Sequence, residues 1–328
     1  MAVVLAGLNV ASAVFAPVAF ALFFIALLWP LQSWLEARLP RVLALAISML
    51  LLVTTITGFA ALIVVAFGRV GRWSIANLAR FQALYERTAS WLEAQGVAVS
   101  SLWTEHFNIS WFVGLMQTFT GQVNTTLTFW LFVLVYVVLG LLEVKATAEK
   151  FRSLANRDLA HVLLRGSAET AEKLRTYMLV RTLMSVLTGV LVWLAAVLAG
   201  LPLARECGVI AFVLNYIPFL GPLVATLIPT ALAIAQLDSW QAVVTIFIGL
   251  NVIQFVVGSY IEPRLSGNAL AISPFVVLFS VFLWMFLWGI PGAFIGVPIS
   301  VAVVTFCAQS ASTGWLAVVL GRADGGKA

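Results

Sequence analysis

The chain has 328 residues, of which 18 are Lys or Arg and 13 are Asp or Glu, so 9% are charged and 62% are hydrophobic. A soluble domain carries about 25% charged residues, so a cytosolic enzyme, a secreted disulfide scaffold and a disordered regulator are excluded, and lipid is the main solvent. The net charge of +5 points to basic loops on one membrane face, where Lys and Arg collect, and not to nucleic acid.

Gaps between charges mark the spans, because a spanning helix needs about 20 mainly apolar residues. The uncharged stretches are 1–35, 42–68, 107–142, 182–204, 207–237, 239–261 and 265–321. Segment 1–68 reads as N-terminal membrane helices around a basic turn with Arg38 and Arg41. Stretch 1–35 carries Pro17 and Pro30 and fits either one kinked helix or two shorter ones. Its first charge is Glu36, so the basic region of a cleavable signal is missing. Segment 69–125 is polar and reads as extracytoplasmic. Leu78, Phe81, Tyr85, Thr88 and Leu92 recur at helical spacing, which suits a surface helix or a lid over a pore mouth. Residues 126–142 suit one span, since Gln117, Thr118, Thr120, Gln122 and Asn124 precede them.

Segment 143–181 holds eight Lys or Arg and five acids. It is predicted to be a cytoplasmic, salt-bridged helical segment. A C-terminal membrane bundle follows over 182–321, with one helix each in 182–204 and 239–261 and two in 265–321. Stretch 207–237 would be about 46 Å as one helix, too long for one upright span and too short for two. The expected fold is an all-α polytopic membrane protein with roughly seven to eight membrane segments, including proline-broken or re-entrant helices.

Chemistry in this chain is sparse. The two histidines, His106 and His161, lie in charged loops, and no HExxH, GxSxG, CxxC or Walker lysine loop is present. No enzyme, cofactor or metal site is expected. Cys207 and Cys307 read as small packing residues, not as a disulfide. Three features carry the candidate substrate or ion path. One is Asn215-Tyr216-Ile217-Pro218-Phe219-Leu220-Gly221-Pro222, which cannot continue a regular helix. It fits an interfacial turn or a re-entrant break lining a transport path.

The second feature is the run around Gly289, Pro291 and Gly292. It echoes the first, with Pro222 and Pro229 spaced like Pro291 and Pro298, as an internal repeat or by chance. The third is helix 240–262, where Asn251, Gln254, Gly258 and Glu262 fall on one polar and small stripe. Pro263 is expected to end that helix and leave Glu262 at a negative C-terminus. Arg264 is its local partner, in a structural lock or in a cation or proton path. Asp238 is a weaker interfacial candidate. The breaks and the stripe are expected to converge.

The stretches NYIPFLGPLVATLIPTALAI (215–234), IEPRLSGNALAISPFVVLFSVFLWMFLWGIPGAFIGVPISVAV (261–303) and FALFFIALLWPLQSWLEARLPRVLALAISMLLL (20–52) resemble the autoinducer-2 exporter family. Residues 70–125 match it only in type. The resemblance implies a multi-pass permease of the bacterial inner membrane, of about eight spans, forming homo-oligomers, pentamers among them. Some relatives export autoinducer-2 and others exchange sodium or lithium for protons. By position, Pro218, Gly221, Pro222, Glu262, Pro263 and Gly267 match the family motifs. The expected function is a secondary transporter exporting a small molecule such as autoinducer-2. The alternatives are a sodium(lithium)/proton antiporter using Glu262 and a non-transporting membrane scaffold. The expected partners are the lipid bilayer, a small-molecule or ion substrate and further copies of the chain.

Overall fold

The computed structural model describes residues 11–77, 79, 80, 82, 90, 93–95, 123–237, 239–266, 272–310 and 312–321. The stripe Leu78, Phe81, Tyr85, Thr88 and Leu92 lies outside them, as do Asp238 and Gly267. The described chain is all-helical apart from one isolated backbone bridge between Ile272 and Gly321. Its helices are α1 (Ser12–Glu36), α2 (Arg41–Ala76), α3 (Val123–Arg152), α4 (Arg157–Leu198), α5 (Ala204–Leu214), α6 (Leu220–Gln236), α7 (Trp240–Phe255), α8 (Glu262–Ser266), α9 (Pro274–Gln309) and α10 (Gly314–Leu320). A π-helical turn, Val256–Ile261, joins α7 to α8.

Six helical runs among the described residues are long and apolar enough to cross a membrane, Trp240–Leu265 counting as one run and Pro274–Gln309 as another although it folds back at Gly289, and the shorter α6 is apolar too. Many large side chains on them face outward, including Leu198, Phe286, Val42 and Val64. Outward apolar faces are what a lipid solvent permits. The protein is a multi-pass membrane protein.

Helix α1 is a single helix with Pro17 and Pro30 inside it, so its described part is one element, not a pair. The boundary drawn at residue 181 falls inside α4, which runs unbroken for 42 residues, about 63 Å. Charge alone suggested that boundary, but no Pro or Gly pair interrupts the helix there, and Arg181 is accommodated by a partner described below. A Gly200 with φ +69 ends α4. Leu201 N–H bonds Ala196 O and Gly200 N–H bonds Val197 O, both at 3.0 Å, the paired capping bonds that a left-handed glycine makes possible.

Stretch 207–237 resolves into a helical hairpin, α5 and α6, folded at 215–219. Helix α9 is a second hairpin. Gly289, with φ 68 and ψ −150, interrupts it, and the arms 274–288 and 290–309 lie antiparallel. Gly292 sits so close to Trp284 O that a methyl group there would overlap it, and a Cβ on Gly296 would lie 2.9 Å from Ser280 O. Ser280 Oγ and Ser300 Oγ are 2.5 Å apart. In a straight helix residues 280 and 300 would be about 30 Å apart. Gly292, Gly296 and Ser300 form a small-residue seam that lets the arms approach. The same device joins α4 to α5: a Cβ on Gly189 would lie 2.9 Å from Gly208 O, and one on Gly208 would lie 2.8 Å from Gly189 O.

Ion pairs tie helices together at both ends of the bundle. At one end Glu36 binds Lys145 at 2.5 Å and Arg41 at 3.8 Å, and Arg41 also donates to Leu142 O. At the other end Arg69 of α2 binds Glu206 of α5 at 2.7 Å. Between them α4 packs antiparallel to α1.

Candidate functional site

Helix α4 is the element on which the candidate residues meet. Arg175 Nη1 donates to Ala26 O, which fixes the depth of α4 against α1. Six residues further along, Arg181 is then level with Phe20, about 24 Å along α1 from Glu36. A charge at that depth is unfavourable unless paired. The partner is Glu262: Arg181 Nη1 lies 3.1 Å from Oε1 and 3.2 Å from Oε2.

The next turn of α4 holds the first hairpin tip. Tyr216 donates its hydroxyl to Thr182 Oγ1 at 3.0 Å, and Asn215 Nδ2 donates to Ser185 Oγ at 3.3 Å. Asn215 is only 5% exposed. The tip is sharp because Leu220 N–H bonds Pro218 O at 2.8 Å, closing a γ-turn on Phe219, whose φ is +65. That conformation is rare and strained for a side chain of this size. Gly221 then packs onto Leu214 O, where a methyl group would overlap. Pro222 falls in the first turn of α6, where no amide donor is needed.

The second tip joins this site through rings. Tyr216 and Phe294 have centroids 6.2 Å apart, and Phe294 stacks on Phe20 at 6.1 Å. Gly289 has open space around a would-be Cβ, while Gly292 is locked between Trp284 and Trp288. Pro291 lies in the first turn after the break. Both proline–glycine runs are therefore hairpin tips, each with a positive φ followed within three residues by a glycine pressed on the incoming helix.

The polar stripe of 240–262 does not converge as a unit. Val243, Leu250 and Val257, seven residues apart, face the protein. Asn251 and Gly258 are exposed, and Asn251 Nδ2 bonds Phe247 O of its own helix at 2.7 Å. The 100° spacing also fails beyond Phe255, where the π-turn widens the helix. Only Gln254 and Glu262 lie against the protein. Arg264 is likewise not the partner of Glu262. Pro263 does not end the helix: Glu262 keeps φ −56 and ψ −48 and the chain continues helically to Ser266. Residues two apart on a helix point away from each other, and Arg264 stacks instead over Tyr260 at 4.0 Å. The wide π-turn accommodates a proline that an α-helix would not.

Two polar atoms beside this cluster are buried and have no hydrogen-bond partner in the structure, Thr188 Oγ1 and Gln254 Nε2, while the guanidinium of Arg181 lies 5.7 Å from the ring of the buried Tyr177. Tyr177, Arg181, Ser185 and Thr188 lie at i, i+4, i+8 and i+11 on α4, one face of a helix. Val257 clusters with Val180 and Met184, and Leu187, Leu191, Ile253 and Ile261 pack around them, so the stretch of α7 and the π-turn that holds Gln254 lies along this part of α4. Buried polar atoms of this kind require water or a polar solute. Thr182, Ser185 and Thr188 went unnoticed in the sequence, and Arg181 was read only as the last charge of the segment 143–181. Their spacing inside an apolar run was the available signal. Among the described residues no three His, Cys, Asp or Glu gather as metal ligands.

A family profile described as AI-2E family transporter matches residues 1–311. The AI-2 transport protein TqsA of Escherichia coli (strain K12) is 26% identical over 322 residues, 98% of this chain and 93% of TqsA. YhhT of the same strain, described by name only as a transport protein, is 27% identical over 338 residues, 98% of this chain and 92% of its own. YrrI of Bacillus subtilis (strain 168), described in the same way, is 25% identical over 318 residues, 87% of this chain and 83% of its own.

Proposed function

The chain belongs to the AI-2E transporter family, and from that premise we propose that it is a secondary transporter exporting a small polar molecule across the bacterial inner membrane. Autoinducer-2 is the first substrate to test, since that is what the relative TqsA is named for. The observation that carries the reading is the polar face of α4 at membrane depth, with its Arg181–Glu262 pair, its contacts to the Asn215 tip and the unpartnered hydroxyl of Thr188. Broken helices with polar groups facing a protein seam are how many transporters hold a solute. The chain has no nucleotide-binding loop, so an ion or solute gradient supplies the energy.

The path runs along Tyr177, Arg181, Thr182, Ser185 and Thr188 of α4 and meets Asn215, Gln254 and Glu262. Asn251, Gly258 and Arg264 fall outside it. Reconstituted vesicles loaded with autoinducer-2 test the reading. Wild type is expected to release it faster than empty vesicles, and Asn215→Leu is expected to slow release while the protein still folds. Absence of release with autoinducer-2, an indole-like metabolite and sodium alike refutes transport. A sodium or lithium pulse that moves protons only when Glu262 is intact would assign the chain to cation/proton exchange instead.

A further inference from the structure

Arginines are disfavoured away from the densely basic end of a membrane protein, yet three of them surround one cleft at the opposite end. The cleft has a volume of about 580 Å³ and is lined in part by Arg69, Arg72, Arg205, Glu206, Trp193 and Val197. It lies where the uncharged run 42–68 of α2 stops at Arg69, the level at which hydrocarbon gives way to headgroups. The Arg69–Glu206 pair pins α2 to the start of α5 and so sets the cleft's width.

Among the described residues, charge in the cleft is unbalanced. Glu206 is buried and binds Arg69. Among the described residues neither Arg72 nor Arg205 has a carboxylate partner, and both are exposed. Below this cationic rim the wall is apolar. Trp193 and Val197 of α4 present outward faces on the lipid side. A cationic rim above an apolar wall matches a molecule with an anionic oxygen group at one end and a hydrocarbon chain at the other.

We propose that this cleft binds the phosphodiester headgroup of an anionic phospholipid, with Arg72 and Arg205 on the phosphate and an acyl chain along Trp193 and Val197. A guanidinium suits this role because its fork of donors matches phosphate oxygens. The site lies apart from the Arg181–Glu262 cluster and does not depend on what the protein transports.

Native mass spectrometry of the full-length protein in neutral detergent tests it, with phosphatidylglycerol and phosphatidylcholine of matched chains added in equal amount. Phosphatidylcholine carries the same phosphate, but its choline cation cancels the net charge and is repelled by the rim; at about 1 kcal/mol, or five-fold, per arginine facing a net anionic lipid, wild type is expected to prefer phosphatidylglycerol by up to roughly 30-fold. Arg72→Gln with Arg205→Gln is expected to abolish the preference, while Arg152→Gln at the other end leaves it unchanged. Equal retention of the two lipids by wild type, or an unchanged preference in the double variant, overturns the proposal. If the double variant does not fold, wild type alone decides: its preference must fall as salt rises, and a salt-insensitive preference overturns the proposal. Inorganic phosphate that protects wild type from heat in the absence of any lipid preference would assign the cleft to a soluble anion and overturn the lipid assignment.

Discussion

Breaking the Arg181–Glu262 pair from one side should be far more damaging than removing both partners. At a separation of 3.1 Å the Coulomb attraction is about 5 kcal/mol for an effective dielectric near 20. Desolvation of two ions offsets most of that. The net worth of the pair is therefore small, but each partner alone is stranded. Arg181→Met leaves Glu262 without its cation and should cost about 3–5 kcal/mol, as should Glu262→Met. The double variant replaces the pair with apolar side chains and should cost less than either single change. Reversible unfolding in mixed detergent micelles, followed through the 12 tryptophans, provides the measurement. The test is the double-mutant cycle. If the double variant costs about the sum of the singles, the two residues do not interact and the depth argument for α4 fails. Flux supplies a second readout, because a folded double variant should still export poorly if the pair lies in the path.

Three further changes probe the hairpins and the core. Gly292→Ala places a methyl group on Trp284 O and should cost about 1–3 kcal/mol or more, whereas Gly58→Ala, with open space around it, should be neutral or stabilising by up to about 1 kcal/mol; equal effects in the same unfolding assay would contradict the antiparallel arms. Ser48→Ala removes the 2.8 Å bond to Gln32, and since Gln32 is 1% exposed the stranded amide oxygen should cost about 1–3 kcal/mol. Phe219→Gly relieves a positive φ worth about 1–3 kcal/mol on a half-exposed ring and should raise the unfolding midpoint, while Phe219→Val should lower it; the opposite order would show that the tip is unstrained.

Much of the fold was legible because membrane helices follow local rules. Runs without charge located α1, α2, α3, α7 and both arms of α9, and the proline–glycine runs located the two tips. The site was less legible. The stripe through Asn251, Gln254, Gly258 and Glu262 assumed one helical period, and the π-turn at Val256–Ile261 broke it. The pairing of Glu262 with Arg264 assumed that the nearest charge in sequence is the nearest in space. Arg181 was assigned to a charged connector because it closes a basic run, although α4 carries it to membrane depth.

Composition and local pattern determined that this chain spans a membrane, that it is helical, and that its helices break at 215–222 and at 289–292. These follow from the energy of charge in lipid and from what Pro and Gly allow, and both act within a few residues. Only the tertiary structure decided that each break is the tip of a hairpin and that α4 is the shared axis. It also decided that Glu262 answers to Arg181, 81 residues away. Those facts depend on where small residues let helices approach and on which buried charges meet, and neither is written in any single stretch of sequence.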